Sequence, residues 1–85
     1  NITAINLQKV IEILSALNTN DWNKENIKNA LWDYASTVGR GSVLWPMRYS
    51  LSGKEKSPDP FILSEIFTKE GTIERLKLAL SLFNI

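Results

Sequence analysis

Between residues 40 and 56, Arg40, Arg48, Lys54 and Lys56 stand against a single acid, Glu55. No other stretch of the chain concentrates positive charge in this way. The overlapping segment LWPMRYSLSGKEKSPDPF, residues 44–61, adds Trp45, Tyr49 and Phe61 and places prolines at 46, 58 and 60. A guanidinium pairs bidentately with phosphate or base edges and stacks on bases, and aromatic faces hold unstacked bases. A helix beginning at Ser57-Pro58 would add backbone N–H donors with no partner inside the helix. Taken together, these residues fit a basic, aromatic, proline-stiffened ridge that contacts nucleic acid. The same residues also fit a plainer arrangement. In that case the basic run is a solvated loop, Trp45, Met47, Tyr49 and Phe61 pack inward, and Arg48 lays its stem on apolar surface with its head in water.

Other chemistry is excluded more firmly. The chain has no histidine and no cysteine. That removes histidine acid–base catalysis, thiol nucleophiles and the usual zinc sites, and it fits a reducing compartment. Gly53-Lys54 resembles the end of a phosphate loop, but the pattern needs a glycine where Arg48 stands and Ser or Thr where Glu55 stands. The carboxylates are scattered over helix faces and turns. The chain is therefore expected to hold no catalytic residue, no metal site and no cofactor of its own. No apolar run approaches the length of a membrane span, and no signal pattern opens the chain.

The elements that must position the basic segment are helical. The chain has 85 residues, 44% hydrophobic and 22% charged, with net charge +1, which suits one small domain with a limited core. It opens on Asn1, so a piece of a longer protein is expected. Leu7, Val10, Ile11, Leu14 and Leu17 repeat at helical spacing over residues 5 to 18, and NTND breaks the pattern. Ile27, Ala30, Leu31, Tyr34, Ala35 and Val38 form a second stripe. Asn23 is placed to cap that helix, Trp22 to staple it and Gly39 to end it. GRGS, 39–42, reads as a loop. A short third helix follows, with Pro46 in its first turn and Gly53 after its end. Either Ser57-Pro58 or Asp59-Pro60 starts a fourth helix, TKEGT breaks it, and a fifth runs from about Ile73. The expected fold is all-α, a compact bundle of about five short helices forming one domain over residues 1–85.

The order of these signals resembles the C-terminal end of bacterial glutamyl-tRNA synthetases. The resemblance rests on Pro46-Met47-Arg48, Leu51-Ser52-Gly53, Ser57-Pro58, Phe61, Lys69-Glu70 and Ile73-Glu74-Arg75-Leu76, and it covers about half the chain. Asp59-Pro60 stand where the family often has glycine followed by a small or apolar residue. The resemblance implies a non-catalytic helical anticodon-binding domain whose partner is the anticodon loop of tRNA(Glu). It further implies a cytoplasmic, monomeric ligase whose full-length form joins glutamate to tRNA with ATP and Mg²⁺. By position it implies Arg48, Ser57, Pro58 and Phe61 at the anticodon, with Phe61 mainly a buttress. Arg40, Lys54 and Lys56 are candidate phosphate contacts. A helical protein-interaction or DNA-binding module is the alternative. A DNA-reading helix should be basic and exposed, and the long helices here are not notably basic.

Overall fold

Asn23 adopts an extended backbone, and its side-chain oxygen accepts the Asn26 N–H at 2.9 Å. This satisfies one of the amides that a helix start leaves without a partner, and α2 runs from there over Lys24–Val38. Gly39 then turns the chain at φ 113°, with its N–H donating to the Ala35 carbonyl. That conformation favours glycine. The computed structural model describes residues 2–53 and 59–83, the last by its backbone alone. Within these, α1 spans Ile2–Ser15, a single 3₁₀ turn spans Thr19–Asp21, α3 spans Arg40–Ser52 and α4 spans Pro60–Phe83. The fold is all-α, with four helices where five were expected.

Two differences from the sequence reading have physical causes. First, GRGS is not a loop. Gly39 both ends α2 and starts α3, so the helix begins at Arg40 and Pro46 lies inside it rather than in its first turn. A proline within a helix removes one amide and strands the carbonyl four residues earlier, here that of Ser42. The Asn6 side-chain amide on α1 donates to that carbonyl at 3.0 Å. The oxygen of Asn6 in turn accepts the Tyr34 hydroxyl of α2 at 2.7 Å. Asn6 is buried, so this chain of bonds joins three helices inside the protein.

Second, the break expected in TKEGT falls at its first residue. Thr68 takes φ 68°, ψ 171°, and the two limbs of α4 meet there at a kink. This conformation is essentially reserved for glycine. The Thr68 hydroxyl accepts the Gly71 N–H at 3.4 Å, a weak cap for the second limb. Across the kink, the Arg75 guanidinium lies 4.1 Å from the centre of the Phe67 ring.

One hydrophobic cluster draws on every helix. Leu7, Val10, Ile11 and Leu14 come from α1, and Ile27, Leu31 and Ala35 from α2. Val43, Met47 and Leu51 come from α3, and Phe61 and Leu76 from the two limbs of α4. Burying each large side chain contributes about 1.5–3 kcal/mol. Helix ends are fixed by side chains from other helices. Trp22 Nε1–H donates to the Ser64 carbonyl at 2.9 Å, which also receives the Thr72 hydroxyl at 3.1 Å. Glu65 accepts the Lys24 N–H at the start of α2, at 2.8 Å. The Lys69 ammonium donates to the carbonyls of Ser15, the last residue of α1, and of Leu17 just after it, at 3.1 and 2.7 Å.

Replacing the buried Asn6 with Ala should cost about 1–3 kcal/mol in urea unfolding, because the Ser42 carbonyl and the half-buried Tyr34 hydroxyl both lose their partner. The loss should be smaller in a Pro46→Ala background, where residue 46 regains an amide for Ser42; equal losses in both backgrounds would contradict the network. Thr68→Gly should raise stability by about 0.5–2 kcal/mol by relieving the backbone at the kink, measured by the same unfolding midpoint.

Candidate nucleic-acid interface

Helix α3 carries the candidate arginine. Val43, Met47 and Leu51 point into the core, and Arg48 stands at the edge of that stripe, half-buried. Its Nε is shielded from solvent and has no hydrogen-bond partner among the described residues. A buried donor without a partner costs about 1–3 kcal/mol, so packing places the Arg48 stem while its polar head remains uncommitted. Gly53 ends the helix in the left-handed region at φ 73°, with its N–H donating to the Tyr49 carbonyl at 2.7 Å. Nothing lies within 4 Å of where a Cβ would sit on Gly53, so backbone conformation rather than crowding favours glycine there.

The two readings of the aromatic segment divide residue by residue. Met47 and Phe61 are core residues. Trp45 and Tyr49 are not. They stack on each other at 5.5 Å between ring centres with 24° between planes, and each leaves about two-fifths of its surface in solvent, 44% and 41%. Trp45 and Tyr49 therefore leave ring surface outside the core, and the half-buried Arg48 lies on the same helix.

Of the other candidates, Arg40 is exposed at the first turn of α3. Its guanidinium lies 4.8 Å from the centre of the Trp32 ring on α2. Lys54, Lys56, Ser57 and Pro58 lie outside the described residues. Of the two possible starts for α4, Asp59-Pro60 is the one adopted. The Asp59 carboxylate accepts the Phe61 N–H at 2.7 Å, and the Asp59 carbonyl accepts the Leu63 N–H. The carboxylate that departs from the family pattern is thus a helix cap, where negative charge meets the positive end of the helix dipole. Beside it, Lys24, Glu25, Lys28, Asp59, Phe61 and Ile62 line a cleft of about 230 Å³. Sequence reasoning passed over Lys24 and Lys28, because lysines on an amphipathic helix read as solvated surface. Their signal is the spacing of Lys24, Lys28 and Trp32 at four-residue intervals, which puts them on one stripe of α2.

Among the described residues, no group of three or more His, Cys, Asp or Glu side chains is gathered as a metal site. No helix among them is long and apolar enough to cross a membrane.

An arginine at the edge of the core and two exposed rings are groups able to contact RNA bases. Residues 3–80 match the family model described as anticodon binding domain, and the chain belongs to that family. It is 39% identical over 66 residues to a glutamate–tRNA ligase of Clostridium acetobutylicum, covering 74% of this chain and 14% of that protein. Glutamate–tRNA ligases of Clostridium botulinum strain Eklund 17B and Clostridium tetani are 35% and 34% identical, covering 91% and 87% of this chain. The chain spans only 16% and 15% of those two proteins. No solved structure matches it. The family match supports the tRNA reading and gives no support to a DNA-binding or protein-interaction module.

Arg48→Met keeps the packing of the stem and removes the shielded donor. Its unfolding free energy should equal that of the parent or exceed it by up to about 1 kcal/mol, whereas Arg48→Ala, which also loses the stem, should be the less stable of the two. A stability loss above about 1 kcal/mol in the Met variant would mean that the guanidinium has a structural partner.

Proposed function

We propose that this chain reads the anticodon of tRNA(Glu) as the C-terminal domain of a glutamate–tRNA ligase, with residues 1–85 acting as one unit. The observation that carries the reading is the match of residues 3–80 to the anticodon-binding family. It is joined by relatives named glutamate–tRNA ligase that align over as much as 91% of the chain. The full-length enzyme joins glutamate to tRNA with ATP and Mg²⁺, works in the cytoplasm as a monomer, and carries its catalytic groups outside this chain. The part assigned to these residues is selection.

Selection needs contacts that differ between the right and wrong anticodon. An arginine contributes most when its fork meets two acceptors on one base edge, a pairing that discriminates by about 1–3 kcal/mol. Arg48 suits that role because α3 fixes its half-buried stem and no hydrogen bond commits its guanidinium among the described residues. Ser57 and Pro58 are assigned to the same anticodon site, where the serine supplies a hydroxyl and backbone hydrogen bonds. Phe61 acts from below: buried in the core, it anchors the start of α4 rather than touching RNA.

The test compares tRNA(Glu) with a transcript whose anticodon bases are scrambled. Arg48→Met should weaken binding of tRNA(Glu) by about 1–3 kcal/mol and leave the scrambled transcript nearly unchanged. Equal losses for both would reassign Arg48 to a phosphate contact, and a parent chain that does not bind tRNA(Glu) above the scrambled RNA would refute the reading of this chain as an anticodon reader.

A further inference from the structure

Trp32 on α2 carries two cations at once. The Lys28 ammonium lies 5.1 Å from the centre of its ring, and the Arg40 guanidinium of α3 lies 4.8 Å from the same centre. Both cations are exposed, and Trp32 is half-buried. Neither cation is in an ion pair with a carboxylate among the described residues. The electron-rich indole ring attracts both cations. The ring thereby restrains two side chains that are otherwise long and mobile, which lowers the entropy lost when they bind an anion.

The pair also sits at a defined place. Lys28 lines the cleft that contains Asp59 and Phe61. Arg40 stands eight residues before Arg48 on α3, about 12 Å along the helix axis. Lys24, four residues before Lys28, extends the positive stripe along α2 to the cleft. The acids near this stripe include Glu25, Asp59 and Glu65, and Asp33 directly follows Trp32. Asp59 and Glu65 each accept a backbone N–H at a helix start, which leaves Glu25 and Asp33 without such a bond.

We infer that Lys28 and Arg40, held on Trp32, bind backbone phosphates of the RNA strand that flanks the bases read by Arg48. The inference rests on the anticodon-binding reading above and adds two residues, Lys28 and Trp32, to the interface. The interaction is independent of base identity. It sets where the strand lies, and Arg48 then meets a base rather than a phosphate.

Lys28→Gln and Arg40→Gln change exposed positions and leave the core intact. Binding of the parent and each variant to tRNA(Glu), and to the scrambled-anticodon transcript, is measured between 50 and 200 mM KCl. Removing one cation from a phosphate lowers the slope of log affinity against log salt by about 0.7–0.9. Each variant should therefore lose about threefold less affinity across that range than the parent does, and at low salt it should be weaker for both RNAs by the same factor. Trp32→Leu, which keeps both charges but frees them, should weaken both RNAs equally. If the parent binds tRNA(Glu) selectively while both glutamine variants keep the parent slope, the phosphate assignment is wrong and the anticodon reading survives. A loss confined to tRNA(Glu) would also overturn it, by making these residues base readers. A parent that fails to bind tRNA(Glu) removes the anticodon reading and this inference with it.

Discussion

The carbonyl of Ser42 is the group on which the arrangement of the first three helices turns. Pro46 deprives it of an amide. The Asn6 side chain supplies the missing donor and holds the Tyr34 hydroxyl with its other end. Each bond is worth only about 1 kcal/mol net, but leaving any of these groups unpaired costs more than forming the bond gains. The network therefore acts mainly on geometry. It permits α1, α2 and α3 to cross in one way, and sliding any of them by a turn would strand a buried polar group. Elsewhere the same logic recurs at helix ends. Ser64, Lys24 and the last carbonyls of α1 all find partners on other elements. In a chain too short for a large core, these directional bonds set positions that nonspecific apolar packing leaves degenerate.

The difference between local and distant partners explains what the sequence could reveal. The start and end of α2 were legible because Asn23 and Gly39 act on residues next to them. The all-α class was legible because every apolar stripe has helical spacing. The fate of Pro46 was not, since proline alone favours a helix start and its compensation lies 36 positions back from Ser42 in the chain, at Asn6. Asn6 itself is a single polar residue between Ile5 and Leu7 and carries no motif. The kink was legible as a region but not as a residue. Nothing in TKEGT marks the threonine rather than the glycine as the one with positive φ, and the glycine that would suit that conformation lies inside the second limb of α4.

The candidate site divides along the same line. Arg48 was legible as a cation beside an apolar stripe and through its place in a Pro-x-Arg segment. Its incomplete hydrogen bonding was not, because satisfaction of a side chain depends on what packs around it. Whether an aromatic faces inward is likewise a property of the assembled bundle. Trp45 and Tyr49, four residues apart, share the outer face of α3 and stack, while Met47 between them turns into the core. Lys28 and Arg40 are twelve positions apart and share the Trp32 ring only because Gly39 folds α3 back against α2.

A net charge of +1 would ordinarily argue against a polyanionic partner, and the structure explains why that argument is weak here. Long-range steering depends on total charge, but a bound phosphate responds to the charges within about a Debye length, roughly 10 Å at moderate salt. Two of the nine acids that balance the total have structural partners. Asp59 and Glu65 accept backbone amides at the starts of α4 and α2, where the helix dipole already favours negative charge. Among the cations, Lys69 is similarly committed to the carbonyls of Ser15 and Leu17. Lys28, Arg40 and Arg48 have no such bond to the backbone among the described residues. A nearly neutral chain can thus commit two carboxylates to helix starts and leave Lys28, Arg40 and Arg48 free of backbone bonds among the described residues.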